Sequence, residues 1–175
     1  MKRVVTGHDS HGKSIFITQG YPPRIVEPVP GIKLIELWGT EEIPSLPDNS
    51  NDPTVDMKSF IPNLSGTRFR IFTVPPGLDD PNKQEDLKNI IKESLHKVPG
   101  LGDAHEVDNP GMHTTDTIDY IVVLSGEADL ELDAGAKVHI NAGDTVVQRG
   151  TRHAWRNKGS EPFVAAAVMI GAKRN

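Results

Sequence analysis

Three residues of this chain have the types and spacing to do chemistry together. His113 and Asp119 stand six apart, an even number, so on an extended strand starting near His113 both side chains leave the same face. His153 lies on a later segment, where the same alternation puts His153, Trp155 and Asn157 on one face and Arg152, Ala154 and Arg156 on the other. A closed sheet that brings His153 opposite His113 assembles two imidazoles and one carboxylate. With coordination positions left open, that set suits Fe(II), Mn(II), Zn(II) or a similar divalent ion such as Ni(II). The chain has no cysteine, which excludes disulfides, thiolate ligands and a thiol nucleophile, so any metal must be held by His, Asp or Glu. Asp116, at an odd offset from His113, reads as a turn or cap residue. His139 alternates with Val138 and Ile140 and is expected to face away from the core, while His8, His11, His96 and His105 fall in loops or on a helix and are assigned to solvent, with a pocket rim as the alternative for His105.

The elements that must position the trio are mostly strands. Arg3 to Thr6 and Ser14 to Thr18 read as a hairpin around a Gly7–Gly12 turn, and Ile32 to Trp38 as another strand, with Tyr21 to Gly31 breaking structure between them. The stretch from Ile43 to Asn63 is rich in Pro, Asp and Asn and reads as a long surface loop, expected to help close the mouth of a barrel against water. Thr67 to Val74 alternates, with Phe69 and Ile71 on one face and Arg68, Arg70 and Phe72 on the other. One helix follows: Asp80 caps it, Pro81 suits its first position, and Leu87, Ile90, Ile91, Leu95 and Val98 recur at helical spacing until Pro99-Gly100. It is assigned packing and no chemistry. From Ile118 onward, short strands alternate with Gly turns: 118–124, 128–132, 137–140, 145–149, 152–157 and 163–170.

Composition narrows the function classes. A chain of 175 residues, at about 150 per domain, is expected to be one domain, 1–175. Its N-terminal strands, Pro-rich loop and helix occupy 1–100. Acidic residues outnumber basic ones, 24 to 19, for a net charge of -5, and no basic tail stands out, which argues against a nucleic-acid partner. The longest wholly apolar stretch, Phe163 to Ile170, falls far short of a membrane span, and Met1-Lys2-Arg3 leads into no apolar signal core. The expectation is a cytoplasmic protein that meets no membrane.

Two motifs carry a resemblance to the cupin superfamily. His113, Asp119 and Gly126 fall in register with the His, carboxylate and closing Gly of the first cupin motif. Gly143, Gly150, His153 and Asn157 match the Gly, Gly, His and Asn of the second. The resemblance covers about Gly102 to Ile170 and implies an all-β, cupin-type antiparallel β-barrel (jelly-roll), with extra N-terminal strands and one helix before the motif region. It implies a divalent metal on His113, Asp119 and His153. The sequence departs from the family pattern at four places. Thr115 stands where the second His ligand is usual, Asp119 replaces Glu, Gln148 replaces Pro, and the spacing after Gly143 is one residue short.

The resemblance and the trio together imply a metal-dependent enzyme acting on a small organic molecule, with oxygenation first and metal-assisted decarboxylation or isomerisation second. The alternative is a non-catalytic binding or structural cupin whose site has degenerated. Trp155 is a candidate to stack on a flat substrate, and Arg68, Arg149 and Gln148 are candidates to touch it, with Arg70 a further cation able to pair with a carboxylate. The N-terminal strands, free to pair with a neighbouring barrel edge, imply a homodimer.

Overall fold

Short alternating segments bury one face only by pairing into sheets. The computed structural model describes residues 1–48, 51–78 and 84–175, and within them the strands are β1 (Arg3–His8), β2 (Ser14–Gly20), β3 (Arg24–Val29), β4 (Ile32–Thr40), β5 (Thr67–Val74), β6 (Thr117–Ser125), β7 (Glu127–Glu131), β8 (Lys137–Asn141), β9 (Thr145–Arg149), β10 (Ala154–Arg156) and β11 (Phe163–Gly171). β1 and β2 form a hairpin of their own. A six-stranded sheet runs β3-β4-β5-β11-β6-β9 and faces a three-stranded sheet, β10-β7-β8. Every pairing is antiparallel, as the all-β expectation requires.

β11 runs down the middle of the large sheet because its sequence, FVAAAVMIG, keeps small residues on the inner face, where Ala165 and Ala167 are buried. They pack with Val74, Ile121, Val123, Ala128, Ile140 and Phe163 into the main core, while Leu34, Phe60 and Val98 form a second cluster. Gly126 turns β6 into β7 at a φ of 74°, and a Cβ there would sit 2.4 Å from the Pro162 carbonyl oxygen, so the position admits only glycine. The outer face of the large sheet carries an apolar patch. Tyr120 lies between Val147 and Val168, Val168 faces Phe69, and Ile118, Tyr120, Val122, Leu124, Val147 and Phe69 are all exposed.

Two features differ from the sequence expectations. Residues 24–29, read as a break, form β3: the strand is the sheet's edge, and a register shift between Val26 and Val29 absorbs Glu27 and Pro28, so no ladder bond needs the missing proline N–H. Besides the expected helix, α2 (Gln84–Ser94), there are two single-turn helices, α1 (Pro53–Asp56) and α3 (Leu101–Ala104), and a 3-10 turn at Leu95–Lys97. The expected cap at Asp80-Pro81 lies outside the described residues.

Asn157 is 2% exposed and ties β5 to the turn before β11. Its Nδ2 donates to the carbonyls of Val74 (2.8 Å) and Glu161 (2.9 Å), and its Oδ1 accepts from the Gly159 N–H. Asn157→Ala is expected to lower unfolding stability by about 2–3 kcal/mol in a urea titration, because it strands a buried carbonyl. A loss under about 0.5 kcal/mol would show that the turn does not depend on this side chain.

Candidate functional site

The inner faces of the two sheets enclose a cavity of about 170 Å³. Its walls include Leu34 of β4, Arg70 and Phe72 of β5, Asp119 and Ile121 of β6, and Trp155 of β10. Leu78, Ser94, Val98 and Leu101, from the segment between β5 and β6, close it on one side. No described residue of the 43–63 loop lines it; among the described residues the water barrier comes instead from the helical segment. Phe60 at the end of that loop packs beneath, against Leu34 and Val98.

One wall carries three histidines in a row, placed by main-chain pairing. His113 and His153 exchange both N–H···O bonds, each 3.0 Å. His105 pairs with His113 on its other side, between bonds from Glu106 N–H to Met112 O and from Thr114 N–H to Ala104 O. Residues directly opposite across antiparallel strands share a face, so all three rings point into the cavity. The His105 and His113 rings stack 4.6 Å apart, and those of His113 and His153 lie 4.3 Å apart, tilted by 52°.

The protonation pattern follows from the partners. Each Nδ1 meets a main-chain carbonyl: Leu101 O for His105 (2.7 Å), Gly111 O for His113 (3.0 Å) and Thr151 O for His153 (2.9 Å). A carbonyl can only accept, so each Nδ1 carries the proton and each Nε2 presents a bare lone pair. Burial lowers all three pKa values, His113 furthest, because the neighbouring imidazoles and the Arg70 charge add to the cost of protonating it. The row is neutral at pH 7.

Asp119 is 5% exposed, and its Oδ1 has no hydrogen-bond partner. Burial raises its pKa to about 6, against the opposing pull of the Thr117 hydroxyl and Arg70. Where cupins place a second His, Thr115 is buried and hydrogen-bonded to Thr117 (2.8 Å).

The structure therefore brings His113, Asp119, His153 and Trp155 to one cavity and adds His105, which the sequence pattern assigns to solvent. The available signal is the Asp108-Asn109-Pro110-Gly111 turn, which folds His105 back beside His113. Trp155 stacks on Phe163 (5.1 Å), contacts Phe72 (5.8 Å) and sets its edge toward His153 (6.3 Å). The other candidates lie elsewhere. Arg68 is fully buried with its donors spent on the carbonyls of Ser59, Thr40 and Thr67 and on Glu41. Arg149 is exposed opposite Ile118 on the outer face of the sheet. Gln148 is buried beside Asp119 and donates to the Thr151 hydroxyl, but it is not part of the cavity wall. Asp116 pairs with Arg174, and His139 is exposed, held by Asp129.

By donor chemistry the cavity fits a divalent ion: three bare imidazole nitrogens, each ring oriented through its other nitrogen, and an unpartnered carboxylate oxygen. As the side chains stand, no three His, Asp or Glu groups among the described residues close around a single point. The stacked rings must turn before any three share an ion.

The family described as "Cupin domain" matches residues 102–170. Phomopsin biosynthesis cluster protein C' of Diaporthe leptostromiformis is 32% identical over 161 residues, covering 89% of this chain and 70% of that protein. The cupin-domain-containing oxidoreductase fogC of Aspergillus ruber is 28% identical, over 89% of this chain and 63% of its own length. Among solved structures, the Schizosaccharomyces pombe Cnp3 cupin domain aligns with a TM-score of 0.49 at 9% identity, covering 97% of this chain and 87% of that one.

Because its folded-state pKa lies above the ordinary value, Asp119 favours the fold fully below pH 4, and that contribution is lost as pH rises through 6. Asp119→Asn removes the ionisation. With chelator present throughout, the variant is expected to gain stability over wild type between pH 4 and 7, by about 3 kcal/mol at most, and nothing below pH 4. Equal pH profiles for the two proteins would place the carboxylate in contact with water.

Proposed function

The chain belongs to the cupin superfamily, and on that footing we propose that it is a metal-dependent enzyme acting on a small organic molecule in the cavity between its two sheets. One observation carries the reading: three neutral imidazoles, each with Nδ1–H held by a main-chain carbonyl, turn their bare Nε2 atoms toward one cavity beside an unpartnered carboxylate. His105, His113 and His153 are the nitrogen donors and Asp119 the oxygen donor, with His105 standing in for the second His that Thr115 replaces. Bound there, a divalent ion supplies Lewis acidity toward a carboxylate, enol or carbonyl oxygen and, if it is iron, redox chemistry with dioxygen.

The chain's own residues do the rest. Phe72, Ile121 and Trp155 give the substrate an apolar bed, and Leu78, Val98 and Leu101 shut out water. Relatives named as cupin-domain-containing oxidoreductases support oxidation ahead of decarboxylation or isomerisation.

The test is metal content by mass spectrometry after metal-replete expression. Wild type is expected to hold about one ion per chain, and His105→Ala, His113→Ala and His153→Ala are each expected to lose affinity at least tenfold, as removing a ligand should. Wild type without metal after reconstitution would leave the non-catalytic binder as the function. Retention in His105→Ala alone would return the site to the other three residues.

We further propose that the protein is a homodimer. The exposed apolar side chains of the outer sheet face and of β1–β2, among them Tyr120, Phe16 and Ile17, are the surface a second copy would cover. Light scattering is expected to give twice the chain mass, and Tyr120→Glu half of that value. A monomer mass for wild type at every concentration would remove the dimer.

A further inference from the structure

Arg70 is 3% exposed, yet it lines the cavity. Nη2 donates to the Phe60 carbonyl and lies 3.4 Å from Glu36 Oε2, while Nε stands 3.1 Å from Glu36 Oε1 without the alignment of a hydrogen bond. The Phe60 ring lies 5.6 Å from the guanidinium carbon. These contacts fix the group and leave Nη1 with no protein acceptor among the described residues. A buried, oriented donor pair facing an enclosed space is what recognises a ligand oxygen.

The chemistry of the free donors says which kind of oxygen. Three cations, Arg24, Arg68 and Arg70, act on the buried Glu36 carboxylate. Glu41 pairs with Arg68, and Asp119, which shares the cavity, acts on Arg70, so three carboxylates balance the three guanidinium groups. The Nη1 donors therefore choose by bond strength, because an ionised acceptor makes a shorter and stronger hydrogen bond with a guanidinium than a neutral carbonyl does. The volume sets the size: about 170 Å³ is close to that of a roughly 150 Å³ protein cavity that holds a benzene ring.

We propose that Arg70 is the substrate anchor and that the cavity takes a small monocarboxylate whose body is about one six-membered ring. The proposal rests on the cavity being the substrate site and not on the metal. The carboxylate meets Nη1 of Arg70, and the ring lies against Phe72 and Trp155 with its far side toward the histidine row.

The experiment titrates benzoate and its neutral isostere benzamide into the full chain by calorimetry, once metal-loaded and once chelator-treated. Benzoate is expected to bind at least tenfold more tightly in both states. Arg70→Gln removes the cation but keeps an N–H donor, and should bring the two affinities within threefold. Glu36→Gln acts in the opposite direction, strengthening benzoate several-fold by removing the competing carboxylate, so the proposal stays testable if one variant does not fold. Equal affinities in wild type, or binding of neither probe, would overturn the monocarboxylate class. A benzoate preference that survives Arg70→Gln would overturn Arg70 as the anchor, and its disappearance with chelator would place the carboxylate on the metal. The metal content of the wild type is independent of either result.

Discussion

The cavity depends on main-chain pairing that lies outside every regular strand. His105, His113 and His153 stand in isolated bridges, and their rings share a face because the backbone atoms on both sides of His113 are paired. The same backbone supplies the carbonyls of Leu101, Gly111 and Thr151 that decide which nitrogen of each ring carries its proton. Position and tautomer thus share one origin. A side chain reached through a flexible loop would lose both at once, whereas here the flanking β6 and β10 anchor the bridges.

A second set of buried charges works against this neutral row. Glu36, Arg70 and Asp119 are each at most 5% exposed, and burial raises the two carboxyl pKa values and lowers that of Arg70. A core built only for stability would carry apolar residues at these inward positions, since a buried ion pair is seldom more favourable than well-packed hydrophobic side chains. The charges are on inner-facing positions of β4, β5 and β6, at the cavity itself or one residue behind it.

Much of this was legible in the sequence because strand alternation is a local property. β6 to β11 appear close to where the Gly turns and period-two pattern put them, and His113, Asp119, His153 and Trp155 do face one cavity. What escaped depended on distant partners. β3 was hidden by Pro28, which is tolerated only because no strand pairs beyond it. His105 sits on no periodic segment, and its neighbours are fixed by a turn and two bridges. Arg68 and Arg70 share a strand face and the same residue type, so alternation could not separate them. The difference lies in what surrounds each guanidinium: Arg68 meets carbonyls from three residues and is used up, while Arg70 borders open space.

The cavity is assembled from two stretches of chain with different duties. Asp119, Trp155 and His153 come from the barrel strands and the residue next to β10, whereas Leu78, Ser94, Val98 and Leu101 come from the excursion between β5 and β6, which closes with His105 and His113 at its far end. Leu101 serves both ends, since its carbonyl also holds the His105 ring. Leu78 and Val98 stand upstream of that contact and of both bridges, so the apolar side of the chamber can change shape while the histidine row keeps its backbone frame.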